Sequence, residues 1–248
     1  MPDYLPTPGL LNGRVILITG AGDGIGRVAA LSCAEYGASV ILLGRTQRKL
    51  ERVYDEIEQA GYAQAVIHPL DLEKAGAADY AQLAAALDEQ FGRLDGLLHN
   101  AAILGTLTPL GLYDVDLWHK VLQVNLHAPF LLTRACLGLL RRAPDASVVF
   151  TADAVGRQGR AYWGAYGVSK AALEGMMQIL ADEIETDGNV RANSIDPGAL
   201  RTALRARAYP AENPNQLPTP ESVMNRYLYL LGPDSRHISG RAFTAREQ

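Results

Sequence analysis

The stretch Arg14-Val-Ile-Leu-Ile-Thr19, followed by Gly20-Ala-Gly-Asp-Gly-Ile-Gly26, constrains the fold of this chain most. A β-branched apolar run reads as a buried strand, and beyond the glycines Val28, Leu31, Cys33 and Ala34 mark one face of a helix over about 27–36. Strand, glycine turn and helix in that order bring backbone amides and a helix N-terminus to where a pyrophosphate can approach closely. Gly20, Gly24 and Gly26, with Asp23 and Ile25 in the same loop, are candidate cofactor-binding residues, against the blander reading of a tight turn.

The pattern repeats. Ser39–Gly44 reads as a strand and Gln47–Gln59 as a helix with Leu50, Val53, Tyr54 and Ile57 on one face. Ala65–His68 and Gly96–His99 supply a third and fourth strand around a helix at 76–91. Helices follow at about 115–125 and 127–142, a fifth strand at Ser147–Thr151, a long helix at about 164–186 and a sixth strand at Arg191–Ile195. Apolar strands alternating with helices make an α/β chain whose parallel sheet is covered on both faces. With 248 residues, 48% of them hydrophobic, and no Pro/Gly/Ser linker, one domain over 1–248 is expected. The long break, Arg205–Pro220, carries Pro210, Pro214, Pro218 and Pro220 and reads as a substrate lid.

A net charge of -4 gives no basic field for nucleic acid or an anionic membrane. No apolar run reaches a membrane span and the opening Met-Pro-Asp-Tyr is unlike a signal peptide, so a cytoplasmic location is the expectation. Cys33 and Cys136 fall on apolar helix faces as buried thiols, and the five histidines show no metal-ligand spacing, so no metal is expected.

The end of the second strand reports on the cofactor ribose. An NAD-binding chain usually places Asp or Glu there; this chain has Gly44-Arg45, with Arg48 and Lys49 following. A guanidinium in place of a carboxylate fits a 2′-phosphate, and so favours NADP(H) over NAD(H). Asp23 argues the other way, because its charge could lie near that phosphate, and Arg48 and Lys49 could equally be a solvated helix face.

With TGAGDGIG at 19–26, DL at 71–72, HNAA at 99–102, VN at 124–125, YGVSK at 166–170 and DPGALRT at 196–202, the chain resembles the short-chain dehydrogenase/reductase family over nearly its whole length. Within it, GRQGRAYWGAY is most similar to the YciK-type bacterial oxidoreductases. The resemblance implies a Rossmann-type, doubly wound parallel sheet of about seven strands. It implies that Asp71 and Leu72 flank the adenine, that Asn100 and Ala101 border the cofactor, and that Pro197, Gly198 and Thr202 border the nicotinamide. It makes Tyr166 the acid/base for a small carbonyl or alcohol substrate, Lys170 its helper and Asn125 the holder of a relay water. It also implies a homodimer or homotetramer built on the long helices.

Three positions depart from the family pattern. His99-Asn100-Ala101-Ala102 ends in a methyl where the family has glycine, which is tolerable if the local φ is negative. The terminal SGRAFTAREQ lacks the usual glycine-rich motif, leaving the last strand open. Asp153 stands 13 residues before Tyr166, where the family has a catalytic serine, and a one-residue shift of register meets only Ala152 or Ala154.

Tyr166 and Lys170 lie i,i+4, so both project from one face of a helix, and an ammonium there favours the tyrosine anion. An ionised Asp153 donates no hydrogen bond and opposes that effect. Loss of a single donor to a developing alkoxide costs on the order of 10²–10³ in rate in another enzyme. Asp153 could instead be protonated and donate, accept from an alcohol, pair with a cationic substrate, or be satisfied by backbone amides, Arg157 or Arg160 in a site that no longer turns over. Arg157, Arg160, Arg201, Arg205 and Arg207, with Tyr162 and Trp163 as walls, suggest either an anionic substrate or ordinary solvated and interface arginines. The sequence thus points to an NADP(H)-dependent carbonyl/alcohol oxidoreductase, with a catalytically weak dinucleotide-binding regulatory or scaffolding protein as the alternative.

Overall fold

The computed structural model describes residues 4–245. Its framework is a seven-stranded parallel sheet in the order β3-β2-β1-β4-β5-β6-β7. The strands are β1 (Val15–Thr19), β2 (Ser39–Gly44), β3 (Ala65–Pro69), β4 (Gly96–His99), β5 (Ala146–Thr151), β6 (Val190–Asp196) and β7 (Ala242–Thr244). The helices are α1 (Gly24–Glu35), α2 (Gln47–Gln59), α3 (Ala77–Phe91), α4 (Val115–Leu122), α5 (Ala128–Arg142), α6 (Ala154–Arg157), α7 (Gly164–Glu183), α8 (Ala203–Ala208) and α9 (Met224–Leu231).

Side-chain alternation explains why the strands read as unbroken apolar runs. On β1, Val15 and Leu17 face a core shared with Leu83 of α3, Leu132 and Cys136 of α5, and Leu173 and Met177 of α7. Ile16 and Ile18 face the other core, with Val28 and Cys33 of α1, Leu50 and Val53 of α2, and Tyr227 and Leu231 of α9. Both faces are covered by side chains, so every strand residue of β1 is buried. Burial pushes both cysteine thiols up to about 12, as inert core residues.

Two readings of the sequence are corrected. The helices expected at 115–125 and 127–142 form one continuous rod, in which Gln123–His127 is a π-helical turn joining α4 to α5. Apolar periodicity cannot reveal the extra residue of such a turn, which marks functional positions more often than ordinary helix does. The break at 205–220 is not a bare loop: Arg205 lies in α8, and Pro214–Gln216 is a 3-10 turn. The terminal strand left open by the sequence pairs in parallel with β6 as β7.

Candidate active site

The strand order reverses between β1 and β4, and the loops at the carboxyl ends of the strands open a cleft of about 860 Å³ there. Gly20, Asp23, Gly24, Ile25, Arg45, Asp71, Leu72, Asn100, Ala101, Asp153, Tyr166, Lys170, Pro197, Gly198 and Thr202 all line it. Gly26 and Asn125 do not; both act from behind the wall.

At Gly26 a Cβ would stand 2.2 Å from the Gly20 carbonyl oxygen, so only glycine lets α1 start this close to β1. Gly20 adopts φ +68°, and Asp23 caps α1 by accepting from the Gly24 amide at 2.8 Å. Thr19, not singled out from sequence, ties the turn to β4. Its hydroxyl donates to the Leu98 carbonyl and accepts from the amides of Asn100 and Ala101, while Asn100 Nδ2 donates to the Thr19 carbonyl. A threonine closing a strand directly before the glycine loop is the sequence signal for such a clip. Ala102 replaces glycine without strain, because Tyr162 alone among the described non-glycine residues has positive φ. His99 bonds Thr133 and stacks on Phe150, and burial lowers its pKa to about 3, so it stays neutral.

Lys49 reverses the objection raised by Asp23. Its ammonium lies 2.6 Å from Asp23 Oδ2 and depresses the carboxyl's pKa, while Arg45 is exposed at the same end of the cleft. The acid in the glycine loop is paired, leaving the guanidinium of Arg45 for an anion.

At the opposite end, Tyr166 on α7 donates its phenol proton to Asp153 Oδ2 at 2.9 Å. Asp153 caps α6, accepting from the Val155 amide at 3.1 Å. Neither Arg157 nor Arg160 pairs with it among the described residues; Arg157 instead binds Glu174 at 2.9 Å, Thr244 Oγ1 at 2.9 Å and the Phe243 carbonyl at 2.7 Å. Burial, then the Asp153 charge and hydrogen bond, hold the Tyr166 pKa well above 10. Lys170 donates to the Thr151 carbonyl at 2.6 Å, and burial brings its pKa down to about 8 although Asp153, Asp196 and Glu174 pull it up. Burial likewise raises Asp196, against the hydrogen bond from the Gly198 amide.

Asn125, at the middle of the π turn, uses its side chain on the protein. Oδ1 accepts from the Ile103 amide, and Nδ2 donates to the Ile103 carbonyl and to Ser169 Oγ on α7. Both amide hydrogens are engaged on the protein, so the side chain ties the π turn to the Ile103 backbone and to α7. Trp163 lines the cleft as expected, whereas Tyr162 is exposed and lies off its wall.

The glycine-loop cradle, the switch-point cleft and the Tyr166–Lys170 pair define a dinucleotide oxidoreductase of short-chain type, and the chain belongs to the short chain dehydrogenase family, whose model matches residues 14–213. It is 49% identical over 243 residues to the oxidoreductase YciK of Escherichia coli K12, covering 98% of this chain and 96% of that one. A short chain dehydrogenase structure from Pseudomonas syringae superimposes with a TM-score of 0.97 at 56% identity, covering 99% of this chain and 100% of the other. A second, from E. coli CFT073, is complexed with NADPH and superimposes with a TM-score of 0.93 at 50% identity over 98% of this chain and all of the other.

Proposed function

We propose that the chain is an NADP(H)-dependent oxidoreductase interconverting a carbonyl and an alcohol, in which Asp153 governs the proton of Tyr166. The observation that carries this reading is the Tyr166–Asp153 hydrogen bond at the end of a cleft whose other end is the glycine loop. The residues present fit a dinucleotide: Gly20, Gly24 and Ile25 would receive the pyrophosphate, Asp71 and Leu72 the adenine, Arg45 the 2′-phosphate, and Asn100, Ala101, Pro197, Gly198 and Thr202 the nicotinamide half. When bound, NADP(H) supplies or takes up the hydride.

The chain's own groups manage the proton. An alcohol hydroxyl at Tyr166 finds an acceptor in Asp153, whereas a carbonyl oxygen finds a carboxylate where a donor would help it. The ground state is therefore set for the alcohol. Reduction requires the Tyr166 hydroxyl to leave Asp153 and turn to the substrate oxygen. Lys170, positioned by the Thr151 carbonyl, stabilises the tyrosinate that results. The same hydrogen bond favours a second reading, a dinucleotide-binding protein without useful turnover, because it withholds the donor from a carbonyl. Exposed Phe130 on α5 and Val168 and Ile179 on α7 support a homodimer or homotetramer through those helices.

Titration of the purified protein, read by NADPH fluorescence and thermal shift, should show saturable binding with NADPH tighter than NADH. Absence of NADPH binding would sink the proposal and its alternative together.

A further inference from the structure

The substrate end of the cleft carries a charge pattern that the proton chemistry does not use. Its wall is aromatic: the Trp163 ring lies 5.7 Å from that of Tyr166 and 6.0 Å from that of Tyr209, which follows α8. Leu104, Val155, Tyr166 and Ala208 form a small apolar cluster against which Trp163 and Leu204 pack. Arg160 precedes Trp163 by three residues and is fixed to it by the bond from the Trp163 amide to its carbonyl; Arg207 precedes Tyr209 by two. Arg160, in the loop before α7, and Arg207, on α8, both line the cleft whose wall holds the Trp163–Tyr209 contact.

Neighbouring charges are accounted for. Arg205 pairs with Glu212 at 2.7 Å and lies over Tyr209, Arg157 is turned away onto Glu174 and β7, and Arg201 binds backbone carbonyls of 214–217. Of the carboxylates lining the cleft, Asp153 is held by Tyr166 and Val155, Asp196 by the Gly198 amide, Asp23 by Lys49, Asp71 by the Glu73 amide and Glu73 by Lys120. The Arg160 and Arg207 guanidinium groups have no hydrogen-bond or ion-pair partner among the described residues, and both are exposed at the mouth.

Resting on the oxidoreductase reading above, we infer the substrate class: an alcohol or carbonyl on an apolar, aromatic-sized body whose far end is anionic, a carboxylate or a phosphate, held by Arg160 and Arg207 across the Trp163–Tyr209 contact. The apolar cluster takes the body, the reacting oxygen reaches Tyr166, and the planar guanidinium groups take the anion in the forked geometry that suits both oxyanions.

The test uses the NADPH-saturated protein and three probes of one shape: biphenyl-4-carboxylate, biphenyl-4-yl phosphate and biphenyl-4-carboxamide, titrated by calorimetry and by tryptophan fluorescence. At least one anion should bind about tenfold or more tighter than the amide, and the tighter one names the terminus. In R160Q/R207Q the preference should shrink to within about twofold, with amide and NADPH affinities unchanged. Equal affinity for amide and both anions in the native protein, or a preference surviving in the double variant, would overturn the inference. Anion preference in a protein that does not bind NADPH would uphold the anion site and remove the oxidoreductase reading, so the two failures are distinguishable.

Discussion

Asp153 and Lys49 each change the meaning of a neighbour. Asp153 accepts from the Tyr166 hydroxyl at 2.9 Å, so the phenol is already engaged. Lys49 does the opposite for Asp23, pairing a charge that would otherwise repel a 2′-phosphate. Both partners of that pair are about half exposed, so the pair adds little to stability. Lys49→Ala should weaken NADPH binding about tenfold while changing NADH binding by less than about twofold, measured by fluorescence titration. Equal weakening of both would show that Lys49 only shapes the loop. The sequence placed Lys49 among the cations that follow β2, with a solvated helix face as the alternative, but not against Asp23, because that pairing joins α2 to a loop 26 residues earlier and depends on how the two approach in space.

The elements show where sequence reading stops. Strand and helix order, the glycine turn and the Tyr166–Lys170 face were legible because each is a local pattern with its own period. The π turn at Gln123–His127 was not, since one extra residue shifts the apolar stripe too little to register, yet it places Asn125 between the Ile103 backbone and Ser169. Arg157 was read as a cleft residue, but its three bonds join α6 to α7 and β7, holding the edge strand that lacks the usual terminal motif. Glu174, largely buried and also bonded by Ser194, would lose its cationic partner in Arg157→Gln. That variant should be destabilised by about 1–3 kcal/mol in urea unfolding. A change below about 0.5 kcal/mol would mean the clamp is idle in solution.

Over the whole molecule, the doubly wound sheet brings residues at or just beyond the carboxyl ends of all seven strands to one cleft, lined by the exposed Arg45, Arg160 and Arg207 and holding the Tyr166–Lys170 pair. The two cores bury β1, β4, β5 and β6 along their whole length, while α6 and α8 pack into the smaller cluster of Leu104, Val155, Tyr166 and Ala208. Lys170 has its pKa at about 8, so its ammonium support for the Tyr166 anion is present below that pH and fades as pH rises through it. Asp153 acts on Tyr166 in the opposite sense at every pH where it is charged, because its charge and its hydrogen bond both raise the phenol's pKa. Replacing it with serine removes both causes and restores a donor to the substrate oxygen. The most direct measurement is therefore kcat/KM for NADPH-dependent carbonyl reduction, and the pH profile of alcohol oxidation, in native protein and D153S. Reduction should rise on the order of 10²-fold and the oxidation midpoint should move about one unit or more toward lower pH. Reduction that falls in D153S, or a midpoint that stays in place, would contradict the claim that Asp153 governs the proton of Tyr166.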